Sequence, residues 1–220
     1  MINVILYEIT QKDGYNLKNL VSDLYNNFGD DTQGVIIHEY DEEFLKATYW
    51  KKMLKKEYRY ILEKREFEEI EQEIIDAVDF EIEMEDQKLL IFGNKQMAQR
   101  IITLLGIISG NSYIISEFLF DIEKIANLVC GITDIDVLKM KLKDISLEKG
   151  VLVNCSINLV IQDNTKYLVS KYIKNIVTLS FRISKIPVNI TVHRSGKFSI
   201  SKFDEEDKDE MIKSLIEIIC

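Results

Sequence analysis

The sequence predicts an α+β protein in which antiparallel sheets are covered by helices. Three observations carry that expectation. Strict apolar–polar alternation, as in Phe80, Ile82 and Met84 between Asp79, Glu81, Glu83 and Glu85, marks half-buried strands. Apolar residues three and four apart, as in Ala98, Ile101, Ile102 and Leu105, mark helices. A strand–turn–strand–cap–helix unit over residues 78–108 returns about 110 residues later, which suggests two similar halves of strand hairpin plus helix.

The first strand is followed by a helix with Asn16 as its N-cap, Leu17, Leu20, Val21, Leu24, Tyr25 and Phe28 on one face, and Gly29 as its stop. Val35-Ile36-Ile37 reads as a short buried strand. Residues 43–77 have two readings: Trp50, Met53, Leu54, Ile61 and Leu62 fit one helical face, continued by Phe67, Ile70 and Ile74, while Tyr58, Tyr60 and Leu62 alternate. A helix is the expectation for most of this stretch, with a long β-hairpin as the alternative. After the strand at 78–85, Asp86-Gln87 turns into Lys88–Phe92. Gly93-Asn94 then opens a helix with Met97, Ala98, Ile101, Ile102, Leu105 and Ile108 on its core face.

Gly110-Asn111-Ser112 suggests a division into halves 1–109 and 110–220. Ile115, Phe118, Leu119, Ile122, Ile125, Ala126 and Val129 predict a helix stopped by Gly131. Leu138, Met140 and Leu142 alternate with Lys139, Lys141 and Lys143 in a strand that turns at 146–150 into a second strand, 151–161. A helix near 165–174 leads to the strand 177–183. Pro187 starts the next strand, where its missing N–H costs least. Val188, Ile190 and Val192 alternate up to an Arg194-Ser195-Gly196 turn, and Phe198 and Ile200 lead back. Asp204 then caps a last helix with Glu205, Glu206 and Asp207 in its first turn. The run Val188–Ile200 with its following helix resembles the hairpin-plus-helix of TATA-binding-protein-like folds, as residues 78–108 do more loosely. That resemblance implies a curved antiparallel sheet built from two such halves, a surface on which some members bind nucleic acid. The aromatic pairs with which the family's namesake wedges DNA apart have no counterpart here, so DNA binding does not follow from the resemblance.

The composition, 46% hydrophobic and 30% charged over 220 residues, is that of a chain able to bury one or two real cores. The N-terminus lacks the basic start of a secretory signal, and no apolar run approaches the roughly 18–20 residues that span a bilayer. A cytoplasmic location without membrane contact is therefore expected. Cys130, Cys155 and Cys220 are odd in number and irregularly spaced, as free thiols in a reducing compartment would be. Lysine over arginine and abundant isoleucine suggest an AT-rich bacterial or phage genome.

Motifs for chemistry are few. His38 and His193 share no ligand spacing with each other or with a cysteine. Phosphate loops and hydrolase elbows are absent, so no cofactor is expected. Asp79, Glu81, Glu83 and Glu85 form an acidic stripe that could hold divalent metal for phosphodiester chemistry, although a solvated strand face accounts for it as well. His193, Arg194, Ser195 and Lys197 could cradle a phosphate at a hairpin tip, although an exposed polar turn accounts for them as well.

Charge is segregated along the chain. Residues 63–86 carry net −10, and residues 138–203 carry net +9, within a chain of net −9. Such separation can steer a polyanion, bind the halves to each other or dock an oppositely charged partner, and chance with solubility accounts for it as well. The expected function is a non-enzymatic binding component of a bacterial or phage assembly. Its partner is a protein or a nucleic acid, met through Lys139, Lys141, Lys143, Arg194 and Lys197 on the C-terminal sheet. The lysines are also what an edge strand uses against aggregation. The competing readings are a metal-dependent nuclease built on the 79–85 stripe and an acidic decoy acting through residues 63–86.

Overall fold

The computed structural model describes residues 1–12, 14–160, 164–183, 188–201 and 208–220. They form eleven strands, five α-helices and one 3-10 turn, an α+β fold with antiparallel sheet. Two compact units emerge: Tyr7–Ser116, and Met1–Leu6 together with Glu117–Cys220. Gly110 sits in the turn after the second helix, at φ +57°.

The first unit contains the end of β1 (Ile2–Gln11), α1 (Leu17–Asn27), β2 (Gln33–Tyr40), β3 (Phe44–Ile61), β4 (Glu66–Glu83), β5 (Lys88–Phe92), α2 (Lys95–Ile108) and β6 (Tyr113–Glu117). Its strand order is β2-β3-β4-β5-β1, with β6 also on β1. Both helices begin on asparagine caps. Asn16 and Asn19 satisfy each other's backbone N–H in a reciprocal capping box at 3.0 Å, and Asn94 accepts from the N–H groups of Gln96 and Met97. Leu17, Leu20, Val21 and Leu24 of α1 and Ala98, Ile101, Leu104 and Leu105 of α2 are buried. So are Leu45, Ala47, Tyr49, Val78, Phe80, Ile82, Leu89 and Ile91 of the sheet.

Residues 43–77 form the long hairpin, not a helix: β3 and β4 pair residue for residue from Phe44↔Glu83 to Ile61↔Glu66. Two further expectations need correction. Val35–Ile37 belong to an eight-residue strand in which Ile36 is 52% exposed, because its register opposite Thr48 puts it on the face away from the buried Ala47 and Tyr49. Residues 113–117 are strand, and the helix predicted there is confined to α3 (Ile122–Gly131), capped by Asp121.

The second unit adds β7 (Ile135–Glu148), β8 (Val151–Asn158), α4 (Thr165–Tyr172) with the 3-10 turn Ile173–Asn175, β9 (Ile176–Ile183), β10 (Val188–His193), β11 (Lys197–Ser201) and α5 (Lys208–Ile219). Its order is β1-β11-β10-β9-β7-β8, the first position being the start of β1, whose Ile2↔Ile200 and Ile5↔Lys197 pairs bracket the register. One face of this sheet is closed by apolar packing. Met140, Leu142, Leu179, Phe181, Ile190, Val192, Phe198 and Ile200 are buried there, α3 packs on β7 and β9, and Phe120 meets the Phe198 ring edge-on at 6.4 Å. A register shift between Val137 and Lys139 bulges β7, so Val137 takes the buried place and Leu138 is only half-buried. Pro187, Asp204, Glu205, Glu206 and Asp207 lie outside the described residues.

Candidate functional site

The opposite face of the second unit's sheet is mostly polar, the buried Ile5 opposite Lys197 being an apolar exception at its β1 end. Strand register sorts its side chains into ranks that run across the strands. One rank is Asn158, Lys139, Ser180, Thr191, Ser199 and Asn3, and the next is Ser156, Lys141, Thr178, His193 and Lys197. A shorter rank holds Asp136, Arg182, Asn189 and Ser201. Neighbouring positions within a rank are about 4.8 Å apart and successive ranks about 7 Å. Apart from the lysines, Arg182 and His193 the side chains are mostly small, so the face is shallow and hydroxyl- and amide-lined, with cations standing above it.

Hydrogen bonds across the strands hold this surface in place. Ser180 and Thr191 share a hydroxyl bond of 2.9 Å, and the Arg182 guanidinium donates to Asn189 Oδ1 at 3.0 Å. His193 Nδ1 lies 3.1 Å from the Thr178 hydroxyl, which is buried. Partial burial, then the charges of Lys197 and Lys141, hold the His193 pKa below its ordinary value. The imidazole is therefore neutral at pH 7, and the two lysines project positive potential onto that point of the sheet.

The structure brings Lys139, Lys141 and Lys197 onto this one face, and Lys139, Lys141 and Lys143 are all exposed. Lys143 stands where the pairing of β7 shifts register, and its carbonyl accepts from the Asn175 amide at 3.0 Å. Arg194 is at the β10–β11 turn, where its N–H donates to the Val177 carbonyl and its carbonyl accepts from the Phe120 N–H, both at 3.0 Å. The edge-strand account of the lysines needs correction: β7 lies between β8 and β9, and β8 is the edge. Sequence reading missed Arg182 and the Ser/Thr/Asn ranks. Their signal was present as the polar half of each alternating strand, but only register shows that these halves join.

The acidic stripe is built differently from a metal centre. Asp79 accepts from the Thr48 hydroxyl at 2.6 Å, while Glu81 is 7% exposed and paired with Lys46 at 3.1 Å. Glu85 is exposed beyond the end of β4. Among the described residues no three His, Cys, Asp or Glu side chains come together as a ligand set. The acidic run 63–86 is also partly neutralised by its own hairpin. Lys56 bridges Glu69 and Glu71 at 2.6 and 3.2 Å, Lys52 meets Glu73 at 3.4 Å, and Arg100 of α2 holds Asp76. With thirteen acids and eight bases, residues 44–86 carry net −5, half the charge of the run alone.

All three cysteines are free thiols. Cys130 lines a cavity of about 800 Å³ with Val129, Val137, Leu159 and Tyr167, where burial pushes its pKa up and keeps it protonated. No helix among the described residues is long and apolar enough to cross a membrane. No protein-family model matches the chain, and no curated protein does.

Proposed function

We propose that this chain is a non-enzymatic binding component of a larger assembly, and that it takes a nucleic-acid strand across the polar face of its second unit. The observation that supports this reading is the set of ranks above: cations spaced about 5–14 Å apart over a floor of hydroxyls and amides, on a sheet whose other face is closed. Lysines at that spacing meet successive phosphates of an extended strand, and hydroxyl and amide groups hydrogen-bond phosphate and sugar oxygens. The ranks contain no Phe, Tyr or Trp, and their one ring is the His193 imidazole. Base stacking is therefore limited to that position, and binding is carried mainly by the backbone, with little sequence preference and strong salt dependence.

The test is fluorescence anisotropy with a labelled single-stranded oligonucleotide over a salt series, for the native chain and for Lys139→Gln/Lys141→Gln/Lys143→Gln. Each phosphate contact on a single strand contributes about 0.7 to the slope of log affinity against log salt. The triple variant should fold normally, bind more weakly and lose up to about 2 units of slope. Unchanged affinity and slope would remove these lysines from any polyanion site and defeat the reading.

A further inference from the structure

Beyond about Lys52 on β3 and Val78 on β4 the long hairpin leaves its sheet. β2 pairs with β3 only as far as Lys51, and β5 pairs with β4 only from Asp79 onward. The remaining ribbon is two strands wide, with about ten residue pairs from Lys52↔Ile75 to Ile61↔Glu66. A two-stranded ribbon is marginal in water by itself.

Its two faces differ. Strand alternation places Lys52, Leu54, Lys56, Tyr58 and Tyr60 on one face with Ile75, Glu73, Glu71, Glu69 and Phe67 opposite them. The five most exposed apolar side chains of the paired ribbon all lie on this face: Leu54 (70%), Tyr58 (69%), Phe67 (69%), Ile75 (65%) and Tyr60 (49%). Tyr60 and Phe67 already contact each other edge-on at 5.2 Å, and Tyr58 donates to Glu69 at 2.8 Å. The polar residues between them are sorted by strand, cations on β3 and carboxylates on β4.

We infer that this face is a docking surface for a second copy of the chain, ribbon against ribbon. The sorted charges select the arrangement. A twofold axis parallel to the strands lays β3 of one copy over β4 of the other, which sets Lys56 over Glu71 of its mate and the Tyr60 ring over Phe67 of its mate. A twofold axis across the strands would lay lysines over lysines and glutamates over glutamates. A face about 34 Å long and two strands wide is at the small end of specific interfaces, so the dimer is a weak, reversible one. This inference is independent of the nucleic-acid site, which is in the other unit.

Sedimentation equilibrium of the native chain from about 1 to 200 µM should show a monomer–dimer equilibrium. An all-acidic face (Lys52→Glu/Lys56→Glu) and an all-basic face (Glu69→Lys/Glu71→Lys/Glu73→Lys) should each dimerise at least about tenfold more weakly, and their mixture should restore a dimer. A native chain that stays monomeric at the top concentration overturns the inference. So does a mixture that fails to associate when both variants retain native circular dichroism. Should either charge variant unfold, Phe67→Glu decides: the substitution is at an exposed site, and a dimer no weaker than native overturns the inference.

Discussion

Gly196, at the tip that carries His193 and Lys197, offers a sharp test of how the second unit is held together. Its φ of +72° is a conformation that costs an L-residue about 1–2 kcal/mol. The space is also closed: a Cβ there would lie 2.3 Å from the Phe118 carbonyl oxygen and 3.0 Å from the Leu6 carbonyl oxygen. Both obstacles are backbone, and the Gly196 carbonyl accepts from the Leu6 N–H at 2.9 Å, so the tip cannot shift without loosening β1. Relieving such overlap costs a further 1–3 kcal/mol or so. Gly196→Ala should therefore lose about 2–5 kcal/mol in urea denaturation. Gly150 is the control. It too has a positive φ, +86°, but no atom lies within 4 Å of its missing Cβ, so Gly150→Ala should lose only the conformational part, about 1–2 kcal/mol. Equal losses for the two variants would refute the close approach at the tip.

The remaining predictions concern buried charge and pH. Lys46→Met should destabilise the first unit by about 1–3 kcal/mol, because it strands the Glu81 carboxylate in a nearly closed site, and adding Glu81→Gln should recover part of the loss. The folded His193 binds fewer protons than the unfolded chain near pH 6.5. Its contribution to stability is therefore complete above that pH and is lost as pH falls through 6.5 toward the lower folded value. In an NMR titration Lys141→Gln should move the His193 pKa up toward normal, and an added oligonucleotide should do the same; no movement in either case would count against the shared electrostatic site.

The local architecture was legible wherever one face of an element is buried and the other is wet. Asn16 and Asn94, the core face of α2, the Phe80/Ile82 strand and the Val188–Ile200 hairpin all follow from that contrast. Residues 43–77 did not, for a physical reason. Past Lys52 the ribbon is open to water on both sides, so burial imposes no period of two, and chance spacings such as Trp50, Met53 and Leu54 look helical. The cue that was available is complementarity: the Lys/Arg-rich stretch 51–59 and the Glu-rich stretch 66–73 mirror each other about the turn at 62–65. The position of β7 inside its sheet was hidden because its second neighbour, β9, lies more than thirty residues further on. The ranks of the candidate site depend on five such pairings at once, and no local pattern announces them.

The first strand has a consequence for how the chain folds. Ile2 pairs with Ile200, so the second unit closes over nearly the whole sequence, and Tyr7–Ser116 is an insertion within it. The insertion begins and ends side by side, since Lys12 donates its N–H to the Ser112 carbonyl at 2.9 Å and the Ser116 hydroxyl donates to Glu8. Once the insertion has folded it acts as a clasp. The loop that β1 must close shrinks from about 195 residues to about 85, a relief of about 0.7 kcal/mol in chain entropy. The insertion should therefore acquire protected amides first in pulse-labelled refolding. The polar face, completed only when β11 returns to β1, should be the last part of the molecule to exist.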